Sequence, residues 1–130
     1  MTKPALNPET VQRFVAVAHG DLAQVKVMLA AEPALVNASW DWGGGNWETG
    51  LGAAAHTGQR EIAAHLLAHG ARMDIFCAAM MGKLEIVQAM LADDPQVAHL
   101  RGPHGIPLKQ HAAIGEQQAI LDLLAACGVP

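Results

Sequence analysis

Apolar positions in this 130-residue chain recur at helical spacing in four segments, each broken near its middle by a glycine. Phe14 to Ala30 is centred on Gly20, Ala53 to Ala68 on Gly58, Cys77 to Ala92 on Gly82, and Gln110 to Ala125 on Gly115. Eight and nine residues after each glycine stand Met28-Leu29, Leu66-Leu67, Met90-Leu91 and Leu123-Leu124. Four and three residues before it stand Ala16-Val17, Ala54-Ala55, Ala78-Ala79 and, as a departure, His111-Ala112. A fixed register of this kind marks an internal repeat. It predicts four units, each a short helix, a glycine-containing turn and a second helix. Neither helix could bury its apolar face alone, so the units are expected to stack around one elongated core. Glycine at each turn is expected to supply a backbone conformation that side chains resist, and the small residues to allow close approach of neighbouring units.

In chain order, Asn7-Pro8-Glu9 reads as a helix start, with asparagine as cap, proline at the first helical position and glutamate at the positive helix end. The first helix is expected from about Pro8 to Ala18 and the second from about Leu22 to Ala31, ended by Pro33. Gly82-Lys83-Leu84-Glu85-Ile86-Val87, Ala68-His69-Gly70-Ala71 and Ile106-Pro107-Leu108 resemble the motifs of ankyrin repeats, over about residues 8 to 130. The resemblance implies an all-α ankyrin-repeat solenoid of about four helix-turn-helix units, near 8–39, 40–72, 73–99 and 100–130. It also implies β-turn fingers at one end of the stack and a concave groove between fingers and inner helices. The usual role of that family is protein binding.

Finger lengths are irregular. Ankyrin spacing from a second-helix leucine to the next opening leucine is about 17 residues, as from Leu91 to Leu108, but 22 separate Leu29 from Leu51 and only 8 separate Leu67 from Ile75. The first finger is therefore enlarged and the second deleted. The enlargement holds Trp40-Asp41-Trp42-Gly43-Gly44-Gly45-Asn46-Trp47, with every tryptophan of the chain. Three large rings on a glycine-rich loop are poor core material. The loop is expected to bend across the vacant second position towards His104 and close part of the groove into a pocket.

Composition narrows the setting. With 52% hydrophobic residues but only 4% aromatic, the interior must be thin, alanine-rich helix against helix. A formal net charge of −4 with 8 scattered basic residues offers no stripe for a phosphate backbone, so nucleic acid is excluded as the expected partner. No run approaches the roughly 20 apolar residues of a spanning helix, and the first ten residues lack a signal-peptide core. A monomeric cytoplasmic protein without a membrane partner is the expectation. Cys77 and Cys127, fifty residues apart, have neither zinc spacing nor a disulfide framework and read as reduced thiols.

Positions five, two and one before each glycine share a helix face, which the resemblance directs into the groove. They are Val15, Ala18 and His19; Ala53, His56 and Thr57; Cys77, Met80 and Met81; and Gln110, Ala113 and Ile114. With Trp40, Trp42 and Trp47 above, this face forms a candidate binding site for an apolar or aromatic group, oriented by Asp41, Glu48, His56 and His104. The tryptophans also serve as staples for the finger, and Met80 and Met81 as core filler or an adaptable floor. His111 is either buried and hydrogen-bonded, with a lowered pKa, or part of the pocket.

For catalysis the candidates are His56, Asp41 and His104 as an acid–base set, while Cys77 lacks the basic neighbour a thiolate needs. No metal or cofactor is expected: there is no HExxH pattern, His65 and His69 form a lone pair on an outer helix, and Gly43-Gly44-Gly45 is no phosphate loop. Two readings follow. One is a module that binds a protein or peptide in the groove and on the tryptophan finger; the other is a small-molecule-binding protein or small enzyme with its pocket under the Trp40 to Trp47 loop.

Overall fold

A computed structural model describes residues 2–130. The described residues form eight α-helices and one two-stranded antiparallel sheet. The helices are α1 (Pro8–Val17), α2 (Leu22–Ala31), α3 (Gly50–His56), α4 (Arg60–Ala68), α5 (Ile75–Met81), α6 (Leu84–Asp93), α7 (Leu108–Ile114) and α8 (Gln118–Ala126). The strands β1 (Ser39–Asp41) and β2 (Trp47–Thr49) lie between α2 and α3. Among the described residues no helix is long and apolar enough to cross a membrane.

Local chemistry sets the helix starts. Asn7 accepts from the amides of Glu9 and Thr10 with Pro8 behind it, Asp21 caps α2, Thr49 caps α3 and Asp74 caps α5. Each carboxylate, amide or hydroxyl oxygen satisfies amides that have no partner within their own helix. The odd-numbered helices pack side by side, α1 on α3, α3 on α5 and α5 on α7, each backed by the helix that follows it.

The core runs continuously along this stack. Phe14, Val15, Leu29, Leu51, Ile62 and Leu66 fill the first half, and Val87, Leu91, Leu108, Ile120 and Leu124 the second. Helix α5 joins them: Cys77 and Met80 face the first half, Ile75, Ala78 and Ala79 the second. This places Cys77 and Met80 at 0% exposure, so they are core residues and not the groove surface their repeat position suggests. The face is buried there because α5 is packed between α3 and α7.

The repeat glycines do different work. Gly58 and Gly82 turn the chain at φ +69° and +77°. Gly115 has an ordinary φ of −80°, but a Cβ there would lie 2.0 Å from the carbonyl oxygen of Met80, and the left-handed turn passes to Glu116 at φ 56°. At Gly115 the need is close approach between α5 and α7. Gly20 shows neither requirement.

Candidate functional site

The enlarged finger is a β-hairpin, pairing Ser39 with Thr49, Trp40 with Glu48 and Asp41 with Trp47. Its turn needs its glycines: Gly43, Gly44 and Gly45 all have positive φ, a region costly for side chains. Asp41 organises the turn, accepting from the amides of Gly43 (2.8 Å) and Gly45 (3.0 Å). That use of its carboxylate replaces the expected role in an acid–base set. Trp40 and Trp42 pack against the core, while Trp47 is 61% exposed.

The hairpin reaches the third finger, as its length suggests. Asn46 Oδ1 accepts from the backbone amide of His104 at 2.8 Å, and Asn46 Nδ2 lies 3.1 Å from His104 Nδ1. His104 itself sits at φ 60°, ψ 17°, a left-handed conformation uncommon for a side-chain-bearing residue. Backbone outliers of this kind concentrate at functional positions.

Beneath the hairpin lies Glu48, whose side chain is 0% exposed. Its Oε1 accepts from the Trp42 indole at 2.9 Å and lies 3.1 Å from His104 Nε2 and 3.2 Å from His19 Nε2. Its Oε2 lies 3.0 Å from His56 Nε2. That last pair is close without being aligned as a hydrogen bond, and both atoms are fully buried with no other partner. One donor atom from each of His19, Glu48, His56 and His104 thus falls within 4.8 Å of the others. The carboxylate comes from β2, the imidazoles from the end of α1, the end of α3 and the third finger.

The tautomers follow from the partners. His19 Nδ1 lies 2.9 Å from the Val15 carbonyl oxygen; a carbonyl only accepts, so Nδ1 carries a proton and Nε2 of a neutral ring would aim a lone pair at Glu48. His104 is opposite. The amide of His104 fixes Asn46 Oδ1, so Asn46 Nδ2 must donate to His104 Nδ1, and the ring proton sits on Nε2, directed at Glu48 Oε1. Burial alone would raise the Glu48 carboxyl pKa, but hydrogen bonds from His19 and Trp42, with the His56 imidazole close beside it, outweigh it and hold the group well below the ordinary carboxylate range. The hydrogen bond to Glu48 likewise raises His19 above the ordinary imidazole value, against the effect of burial.

The remaining candidates lie around this centre. Met81 is half-buried at the end of α5. Cys77 is inert, its thiol pushed up to about 12 by burial and by the Asp74 carboxylate. His111 is 0% exposed, donates through Nδ1 to the Pro107 carbonyl at 3.0 Å and packs on Phe76; burial lowers its pKa. His65 is on α4 and His69 caps its C-terminal end, with His69 bonded to the His65 carbonyl. The apolar floor expected from Cys77 and Met80 is therefore inside the protein, and what lies under the hairpin is a polar cluster.

His19 is the cluster member absent from the sequence-derived site set, although it stands on the same repeat face as His56. The only signal available was its position one residue before a repeat glycine. Spacing rules for metal ligands read neighbours along the chain, and here the four donors span residues 19 to 104. No protein-family model and no curated protein matches the chain.

Proposed function

We propose that this protein is a small-ligand-binding protein built on an ankyrin-type stack, with its site at Glu48, His19, His56 and His104 beneath the β1–β2 hairpin. The repeat register, the paired helices and the finger-like hairpin support the ankyrin-type reading. One observation carries the functional reading: a wholly buried carboxylate is surrounded by three imidazoles at 3.0–3.2 Å. Burying a carboxylate against three partly exposed imidazoles is expensive, and well-packed apolar residues would serve stability as well or better. Polar clusters that stability does not explain are the usual mark of working sites. The ligand class is a small polar or cationic species that engages the carboxylate and the imidazole nitrogens together.

The test is imidazole NMR on protein labelled with ¹⁵N-histidine, titrated with amines, guanidines, small carboxylates, phosphate and divalent cations. One class should move the His19, His56 and His104 resonances together and saturably, and the response should vanish in Glu48→Gln. A set that leaves all three unmoved would overturn the reading. The alternative of peptide docking is favoured by the exposure of Trp47 at 61% on a hairpin that is pinned to its neighbour, since rigid exposed tryptophans are frequent interface anchors. Under that reading Trp47→Ala, and not Glu48→Gln, would abolish binding.

A further inference from the structure

Resting on the small-ligand reading, we infer that the ligand is a divalent first-row transition-metal ion, held by His19 Nε2, His56 Nε2 and the Glu48 carboxylate. In this arrangement His104 and Trp42 act as N–H donors that position the carboxylate. The first argument is the unsatisfied pair. His56 Nε2 and Glu48 Oε2 are fully buried, 3.0 Å apart and not aligned for a hydrogen bond. A proton needs a near-straight line between its two heavy atoms, whereas a metal ion sits off that line and accepts both lone pairs. Ligands of a zinc-like ion lie about 2.0–2.2 Å from it, so two ligands sharing one ion lie roughly 3–4.4 Å apart. Glu48 meets that spacing to His56 at 3.0 Å and to His19 at 3.2 Å.

The second argument is the tautomer of His19. Its Nδ1 donates to the Val15 carbonyl, the arrangement that fixes a ligating imidazole and aims its Nε2 lone pair at a metal. With no proton on Nε2 that lone pair faces a carboxylate oxygen at 3.2 Å, and a cation shared by the two would relieve the repulsion. His104 differs because Asn46 donates to its Nδ1 and leaves the proton on Nε2. Its bond to Glu48 Oε1, with that of the Trp42 indole at 2.9 Å, orients the carboxylate as an outer partner does. Two imidazoles and one carboxylate suit zinc, iron, cobalt or nickel, and not the oxygen-seeking magnesium or calcium. The local pair His65 and His69 lacks any carboxylate partner among the described groups of ligating side chains.

The experiment uses the whole protein, stripped with a chelator and titrated separately with Co²⁺ and Zn²⁺. Calorimetry gives stoichiometry, and the cobalt absorption spectrum reports nitrogen and oxygen donors. One ion per chain is expected, with coincident shifts of the His19 and His56 imidazole resonances and a change in Trp42 fluorescence. His19→Ala and His56→Ala should abolish saturable binding, as should the near-isosteric Glu48→Gln, which keeps the volume if the alanine variants fold poorly. His104→Ala should weaken binding about 10-fold to 100-fold, the range for partners that orient ligands, and His65→Ala with His69→Ala should leave it unchanged.

The inference is overturned if neither ion binds, if binding survives His19→Ala and His56→Ala, or if it follows His65 and His69. Failure of the metal and failure of the broader reading separate cleanly. Should an organic amine or guanidine move the cluster resonances while Co²⁺ and Zn²⁺ do not, the metal inference falls and the small-ligand site stands; should nothing move them, both fall.

Discussion

Alanine at two equivalent repeat positions, Gly20 and Gly115, should have opposite effects. In Gly115→Ala the new Cβ would lie 2.0 Å from Met80 O and 2.8 Å from Met80 C, where ordinary contact begins near 3.4 Å. Both atoms are backbone, so no rotamer relieves the clash, and α5 and α7 must part by more than about 1 Å. Overpacking of this kind costs about 1–3 kcal/mol. Parting the helices also strains two hydrogen bonds, Gln117 Nε2 to Met80 O across the seam and Arg60 Nη2 of α4 to Gly115 O, at about 0.5–1.5 kcal/mol each. The total is about 2–6 kcal/mol, a large share of the roughly 5–15 kcal/mol that holds a domain together. In Gly20→Ala the nearest atom is Gln59 Nε2 at 3.8 Å and the φ is not left-handed. Loss of freedom in the unfolded chain should then stabilise by about 0.4–1 kcal/mol. Urea unfolding at constant m separates the two: with m about 1–3 kcal/mol per molar, the Gly115→Ala midpoint should fall by more than about 0.6 M while that of Gly20→Ala holds or rises. A Gly115→Ala midpoint within about 0.3 M of the parent would refute the close-approach argument.

Other expectations concern thiols, pH and the hairpin. In native protein at pH 8 a thiol-specific chromogenic reagent should modify Cys127, which is half-buried, and spare Cys77, which is fully buried with its thiol pushed up to about 12; rapid release of two equivalents would contradict this. His111 has a folded pKa below its ordinary 6.5 because burial disfavours the cation. The unfolded chain therefore binds the proton first, and stability should be fully present above about 6.5 and decline as pH falls through that value and the lower folded pKa. His111→Leu should flatten this acid slope in chemical unfolding curves, at the cost of the Pro107 hydrogen bond. Asn46→Ala removes two contacts to His104, worth about 0.5–1.5 kcal/mol each when formed; the His104 amide should lose hydrogen-exchange protection while amides of α5 keep theirs.

Much of the scaffold was legible in the chain because it is local and periodic. The register of apolar pairs after each glycine located the helix pairs, and α2 begins at Leu22 and ends at Ala31 as its composition indicates. The reach of the hairpin to His104 followed from counting residues. Other features depend on contacts distant in sequence. Glu48 sits beside Trp47 in the chain, yet strand alternation sends one to the interior and the other to solvent. His19 joins Glu48 only because β2 folds back over the end of α1. Cys77 and Met80 hold a groove-facing repeat position, but their helix lies between α3 and α7, which cover that face. The glycine register looked uniform, and only three-dimensional packing distinguishes a conformational glycine at 82 from a steric one at 115.

The left-handed backbone of His104 bears on how this protein would drift under selection. Holding a side chain at φ 60° costs about 1–2 kcal/mol that glycine would avoid. A library selected for heat resistance alone should therefore enrich His104→Gly within a few rounds, gaining melting temperature while discarding one of the groups that positions Glu48. Selection on the site's chemistry would pull the other way, so the residue recovered at position 104 under each regime records which property was being chosen.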